Sequence, residues 1–334
     1  MKQRRTFLAG AASAAGCLLL PGVQAQTTSP AQTSARIKNL RVLCGFPPGG
    51  ATDAVSRRVT DKLQGSYADV AFVDNKPGAA GRIAIDELKR SKPDGSTMLL
   101  TPAAVITLFP HLYEGITYKV DDFTAVSTGC QVQFGFGVGP AVPASVADIP
   151  GYLRWAKANP ASANFGSPAT GSLTHILGVL LAGQSGVALN HIPYKGSAPG
   201  VADLLGGQVP AFSGLLGDFL PHTQSGKVRL LATSGRERSA LAPAVPTFAE
   251  LGFNNLVMTE WYGFFLPRGA SRETTSTAAS AIAAAVKQKD VIDALAQLGM
   301  EAASASPADL DSRMRTEFRA WESTVRRLGI RIEI

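Results

Sequence analysis

The strongest constraint on this chain is a rhythm. From Arg36 onward, short apolar runs at residues 40–44, 70–73, 97–100, 134–138, 189–192 and 228–232 alternate with longer segments whose apolar residues recur three and four apart, such as Val55, Val59 and Leu63, or Leu173, Ile176, Leu177 and Leu180. Runs of that size suit strands, and 3,4 spacing puts side chains on one face of a helix. Alternating the two builds βαβ units, and so predicts an α/β fold with a mainly parallel sheet. The rhythm stops near residue 272. Residues 272–298 and 307–328, rich in Ala, Leu and paired charges, predict a helical close with no strand between them. Ser306, Pro307 and Asp309 read there as N-cap, first-turn proline and first-turn acid.

The N-terminus sets the compartment. Lys2, Arg4 and Arg5, an apolar stretch over residues 7–20 and the small-residue pattern Val23-Gln24-Ala25 are the parts of an export signal spanning residues 1–25. A Gln/Thr/Ser/Pro/Ala leader follows over residues 26–35. Arg4-Arg5-Thr6-Phe7-Leu8 resembles the twin-arginine motif, so Sec and twin-arginine export both stand. Cys17 is followed by Leu18 to Leu20 instead of a polar tether and is read as removed with the signal. The expected product begins near Gln26 and is periplasmic. Loss of the signal lowers the formal charge from +7 to +4, with basic residues dispersed, which describes a solvated surface and no nucleic-acid footprint. The remaining length of about 300 residues exceeds what one core usually holds, so two lobes are expected. Cys44 and Cys130 each sit in an apolar run and fit either a disulfide or two buried thiols.

Chemistry is expected where strands hand over to helices, because the first helical amides are unpaired and carry the positive end of the dipole. The stretch "GFPPGGATDAVSRR", residues 45–58, is such a junction: Pro47 and Pro48 stiffen the exit, and Gly49 and Gly50 admit a ligand without a Cβ. Thr52 reads as an N-cap or a ligand-facing hydroxyl, and Asp53 as a first-turn acid favoured by the dipole. A second junction, residues 164–175, runs into the helix near Leu173 with Ser172 as its N-cap; Ser167, Thr170, Gly171 and Ser172 offer hydroxyls and amides suited to a carboxylate, and His175 reads as structural before it reads as a base. A third, residues 191–209, places Tyr194 and Lys195 at a strand exit and enters a helix through Ser197 and Pro199; a fourth places Ser213-Gly214 at the end of an apolar run.

Enzyme signatures fail. Gly135, Gly137 and Gly139 begin a G-x-G pattern that Pro140 breaks, no phosphate loop or nucleophile elbow occurs, and His111, His175, His191 and His222 lack metal-ligand spacing. No cofactor is expected.

The motifs "FPPGGATD", "VDNKPGAAGRIA", "KPDGSTMLLT", "DDFTAVS", "SPATGSLTH", "IPYKGSAPGVADLLGGQV", "PTFAELG" and "WYGFFLP" occur in an order that resembles the Bug family, the substrate receptors of tripartite tricarboxylate transporters, over about residues 36–332. The resemblance implies a two-lobed type II periplasmic binding protein, a monomer that closes on a small carboxylated solute and hands it to membrane permease subunits. It implies lobe one over residues 36–138 and 261–334 and lobe two over 139–260, with crossings near 134–142 and 259–264. Carried over position by position, it implies ligand contacts from Phe46, Pro47, Pro48, Gly49, Gly50, Ala51 and Thr52 and from Ser167, Ala169, Thr170, Gly171 and Ser172, with Tyr194 and Gly214 as further wall residues. Ser213-Gly214 departs from the Phe-Asp pair of many members, which argues against an amino acid ligand; aliphatic and aromatic carboxylates both remain. Two competing readings are a sensory adaptor with the same fold, and a secreted α/β hydrolase using Ser167 or Ser172 with His175, for which no orienting acid stands at informative spacing.

Overall fold

Period-two burial shows how the first strand is used: Leu40 and Val42 face one side, where they meet Val55, Val59 and Leu63, while Leu43 faces the other, against Ile85 and Leu88. Both sides of the sheet are covered, as parallel strands require. The computed structural model describes residues 36–329; the expected export signal, the leader and Cys17 lie outside the described residues. The described strands are β1 (Ile37–Cys44), β2 (Ala68–Asn75), β3 (Thr97–Pro102), β4 (Phe123–Val138), β5 (Asn164–Ser167), β6 (Asn190–Pro193), β7 (Ala211–Leu215), β8 (Arg229–Thr233), β9 (Thr259–Pro267) and β10 (Glu301–Ala302).

The strands form a two-lobed α/β structure. In one half β1 lies parallel to β2 and β3, and β9 inserts antiparallel between β3 and β4. In the other, β5 lies parallel to β6 and β7. The 16-residue β4 belongs to both: residues 123–133 pair with β9, and residues 134–138 pair with β7 and β8. The sheet is therefore mixed, parallel at its outer strands and antiparallel around β4 and β9. A chain that leaves one half and later returns must run its two connecting strands in opposite directions.

One face of the first half is packed by helices Ala51–Leu63, Arg272–Ala285 and Lys289–Ala296, the other by Arg82–Arg90, Ala103–Thr107 and Pro307–Leu328. Ser306 caps the last helix by accepting from Asp309 N–H at 3.1 Å, as its sequence predicts. The helical close is not strand-free, however. Two residues of β10 pair with β4, fixed by Gln131 Nε2 donating to Glu301 Oε2 at 3.3 Å and Ser239 Oγ donating to Glu301 Oε1 at 2.6 Å. Two residues are too few to print a period-two pattern.

Gly135 and Gly137 are packing glycines. A Cβ at Gly135 would lie 2.7 Å from Leu230 Cδ1, and one at Gly137 would lie 2.9 Å from the Phe219 ring. Both cysteines are free and buried, so burial, the larger influence, pushes both thiols up, and Cys130 Sγ lies 3.9 Å from Met300 Sδ.

Candidate functional site

The loop after β1 is organised by a buried carboxylate. Asp53 Oδ2 accepts from Gly49 N–H at 2.9 Å and from Arg57 Nε at 2.9 Å, while Oδ1 accepts from Asn75 Nδ2 at 2.8 Å; Asn75 Nδ2 also donates to Phe46 O at 3.1 Å. Burial by itself would raise the Asp53 pKa, but Arg57, the Gly49 amide and Asn75 outweigh it and hold the carboxyl below its ordinary range. Asp53 is thus the loop's internal anchor. Gly49 takes a left-handed φ of 85°, and Gly50 is the N-cap of helix Ala51–Leu63 with no side-chain acceptor to offer. The amides of Ala51 and Thr52, in the first turn, have no partner within the helix. Pro47, Pro48, Gly49 and Gly50 are exposed and Phe46 is half-buried.

Thr52 departs from its expected role. The helix starts two residues earlier than a Thr52 cap requires, and the Thr52 side chain is buried with its hydrogen bond directed at Tyr262.

A neighbouring loop carries a feature that the sequence reading assigned to no role. Gly78, Ala79, Ala80 and Gly81 have consecutive φ values of 126°, 48°, 54° and 91°. Left-handed backbone is costly for alanine, and such strain collects at functional sites. The turn abuts the first loop: a Cβ on Gly45 would lie 2.7 Å from Gly81 Cα, and Lys76 N–H donates to Cys44 O at 2.8 Å.

Across the connecting strands, β5 ends at Ser167 and helix Leu173–Ser185 begins. Ser172 is its N-cap, accepting from His175 N–H at 3.2 Å while its own hydroxyl donates to Ala169 O at 2.7 Å. Gly171 N–H donates to His175 Nδ1 at 3.1 Å, so His175 fastens the loop. Ser167 Oγ lies 2.7 Å from Nε2 of His191, not from His175. The two imidazoles stack with centroids 3.9 Å apart. Burial lowers the pKa of His175, and burial followed by the His175 charge pushes His191 down to about 4. Both rings are neutral near pH 7. The exposed Ala169 and Thr170 then stand with the amides of Leu173 and Thr174 at the helix mouth.

Tyr194 and Gly214 stand further along the same half. The Tyr194 hydroxyl donates to Asp203 Oδ2 at 2.9 Å, and its ring meets Phe212 edge-on at 6.0 Å. A Cβ on Gly214 would lie 2.8 Å from Asp218 Oδ2, and that carboxyl accepts from Leu215 N–H at 2.9 Å. A carboxyl group therefore occupies the neighbourhood that Ser213-Gly214 leaves bare, with its pKa raised by burial. Lys195 is exposed.

Residues 46–52 and 167–172 thus sit at the C-terminal ends of β1 and β5, each fronting a helix N-terminus, with no hydrogen bond or ion pair between them among the described residues. Beside the connecting strands is a cavity of about 520 Å³ lined by Ala103, Ala104 and Thr107, by Leu173 and Leu180, by Arg236, Asn255, Val257, Met258 and Thr259, and by Arg313, Glu317, Ala320, Trp321, Thr324 and Arg327. At its edge Glu260 is buried, accepting from Ala104 N–H at 2.9 Å, and burial pushes its carboxyl up to about 8.

Residues 55–330 match the family described as the tripartite tricarboxylate transporter family receptor. The chain belongs to that family. Its members are solute receptors, and similar proteins span nearly its whole length. The Bordetella pertussis protein BugT is 34% identical over 296 residues, which cover 88% of this chain and 90% of that one. A solved periplasmic transporter structure is 30% identical with a TM-score of 0.74, covering 90% of this chain and 99% of the other. A solved structure of an R. palustris protein with adipate is 26% identical with a TM-score of 0.74, covering 89% of this chain and 99% of its own.

Proposed function

We propose that this receptor works in the periplasm as a monomer, binds a small carboxylated solute between residues 46–52 and 167–172, and hands it to the permease subunits of a tripartite tricarboxylate transporter. One observation carries the reading. Two helix N-termini, at the ends of β1 and β5, present free amides from separate halves that β4 and β9 join. A carboxylate at a helix N-terminus gains from both the amides and the dipole. Similarity to the adipate-bound R. palustris protein supports the ligand class. In this reading Ala51 and Thr52 contribute backbone amides, Gly49 and Gly50, whose own amides are spent on Asp53 and Pro47, admit the ligand without a Cβ, Phe46 and Pro48 shape the wall, and Ala169, Thr170, Gly171 and Ser172 close the far side. Ser167 is held in place by His191, and Tyr194 and Gly214 form the outer wall. Lobe one is residues 36–138 and 261–334, and lobe two is residues 139–260.

Calorimetric titration with aliphatic dicarboxylates, beginning with adipate, tests the site. Gly50 has extended backbone, φ −79°, and the nearest atom to an added Cβ is Pro47 O at 3.5 Å, so Gly50→Val fits the fold while intruding on the cleft. Gly50→Val is expected to abolish binding. Thr170→Val, losing one hydrogen bond to a charged group, is expected to weaken it by about tenfold or more. Wild-type affinity in both variants would place the site elsewhere, and no binding of any dicarboxylate would overturn the ligand class.

A further inference from the structure

The cavity of about 520 Å³ lies on the face of the first sheet opposite helix Ala51–Leu63, and its size is that of a small-molecule site. Three arginines line it, and they differ in what they do. Arg313 is committed: its Nε donates to Glu317 Oε1 at 2.7 Å and its NH2 group to Thr259 Oγ1 at 2.8 Å. Glu317 is likewise consumed, since its other oxygen accepts from Trp261 Nε1 at 2.8 Å. Arg236 and Arg327 are exposed and have no ion pair or side-chain hydrogen bond among the described residues, although Arg238 pairs with Glu250 and Arg326 with Glu322 close by. One guanidinium comes from each half, and the same lining has an apolar part in Leu173, Leu180, Val257, Met258 and the half-buried Trp321.

We propose that this cavity, which borders the loop cleft at Leu173 but is lined by none of residues 46–52 or 167–172, is a second binding site for an organic anion with an apolar body, of the arylcarboxylate class. The carboxylate is shared by Arg236 and Arg327, which suit it by planar, bidentate geometry. The body lies against Trp321 and Leu180. A free inorganic anion would leave that apolar wall uncovered, so the class needs both parts.

The test is calorimetric titration of the protein with 2-naphthoate. Wild type is expected to bind one equivalent saturably, Arg236→Gln/Arg327→Gln to weaken binding by about tenfold or more, and Gly50→Val to leave it unchanged. Absence of saturable binding, equal affinity in the double arginine variant, or loss of binding in Gly50→Val would each overturn the proposal. Adipate titration of the double arginine variant separates this site from the loop cleft: unchanged adipate affinity is expected, and a parallel loss of both ligands would show a single shared site and overturn the inference.

Discussion

Replacing Asp53 by Asn removes a charge and one acceptor oxygen from the first loop while keeping the side chain's size. Asp53 is 3% exposed and receives three hydrogen bonds, from Gly49, Arg57 and Asn75. An amide has one acceptor oxygen. If it faces Gly49 and Arg57, those two bonds persist in weaker form and the amide NH2 meets the Asn75 NH2, donor against donor. Asn75 keeps Phe46 O as an acceptor, which limits the damage. One lost bond to a charged group, worth about 1.5–3 kcal/mol, and two weakened ones give an expected cost of about 2–3 kcal/mol near neutral pH. The folded pKa lies below the ordinary 3.8, so the wild-type contribution is complete above that value and is lost as pH falls through the folded pKa. Asn cannot titrate. Urea denaturation of both proteins should therefore show a gap at about pH 7 that narrows toward about pH 3. A gap of the same size at both pH values would refute the electrostatic account, and no gap at neutral pH would show that Asp53 does not anchor the loop.

Gly178 lies inside helix Leu173–Ser185, where alanine would ordinarily add about 1 kcal/mol of stability. Its Cβ would overlap the fully buried Phe165 ring, so Gly178→Ala is expected to destabilise by about 1–3 kcal/mol, measured by chemical denaturation. Glu260 has a folded pKa of about 8, above its ordinary 4.5, so its protonated form stabilises fully below that ordinary value and the contribution is lost as pH rises through about 8. Glu260→Gln, which keeps an acceptor for Ala104 N–H, should flatten that decline and exceed wild-type stability at alkaline pH in denaturation curves. Parallel pH profiles would refute it.

Much of this was legible in the sequence where one residue type does one job. The strand and helix rhythm, the Pro-Pro-Gly-Gly loop and the Ser172 and Ser306 caps are local signals, and they sit where local chemistry puts them. The left-handed turn at residues 78–81 was not legible, because Ala79 and Ala80 have no intrinsic preference for positive φ and are held there by their surroundings. The His191 contact with Ser167 arises from strand register, Phe165 opposite His191, which no single stretch reveals. Of the two readings of Thr52, N-cap or ligand-facing hydroxyl, the cap fails because Gly50, one of the residues able to end a loop without a side-chain bond, starts the helix earlier. The arginine-lined cavity gathers residues near positions 104, 173, 236 and 327, and only the fold brings them together.

The place of β9 in the sheet has a consequence for the order of events during synthesis. Residues 259–267 fill the gap between β3 and β4, so a chain that has emerged only as far as residue 250 holds two strands with facing, unpaired edges. The half built from β5 to β8 is contiguous and can assemble from residues 134–233 alone. The other half cannot close until its last quarter arrives, and contacts of such long sequence separation form slowly. A ribosome-stalled chain ending before residue 259 should therefore protect β5 to β8 from hydrogen exchange while β1 to β3 remain open, the reverse of their order along the chain.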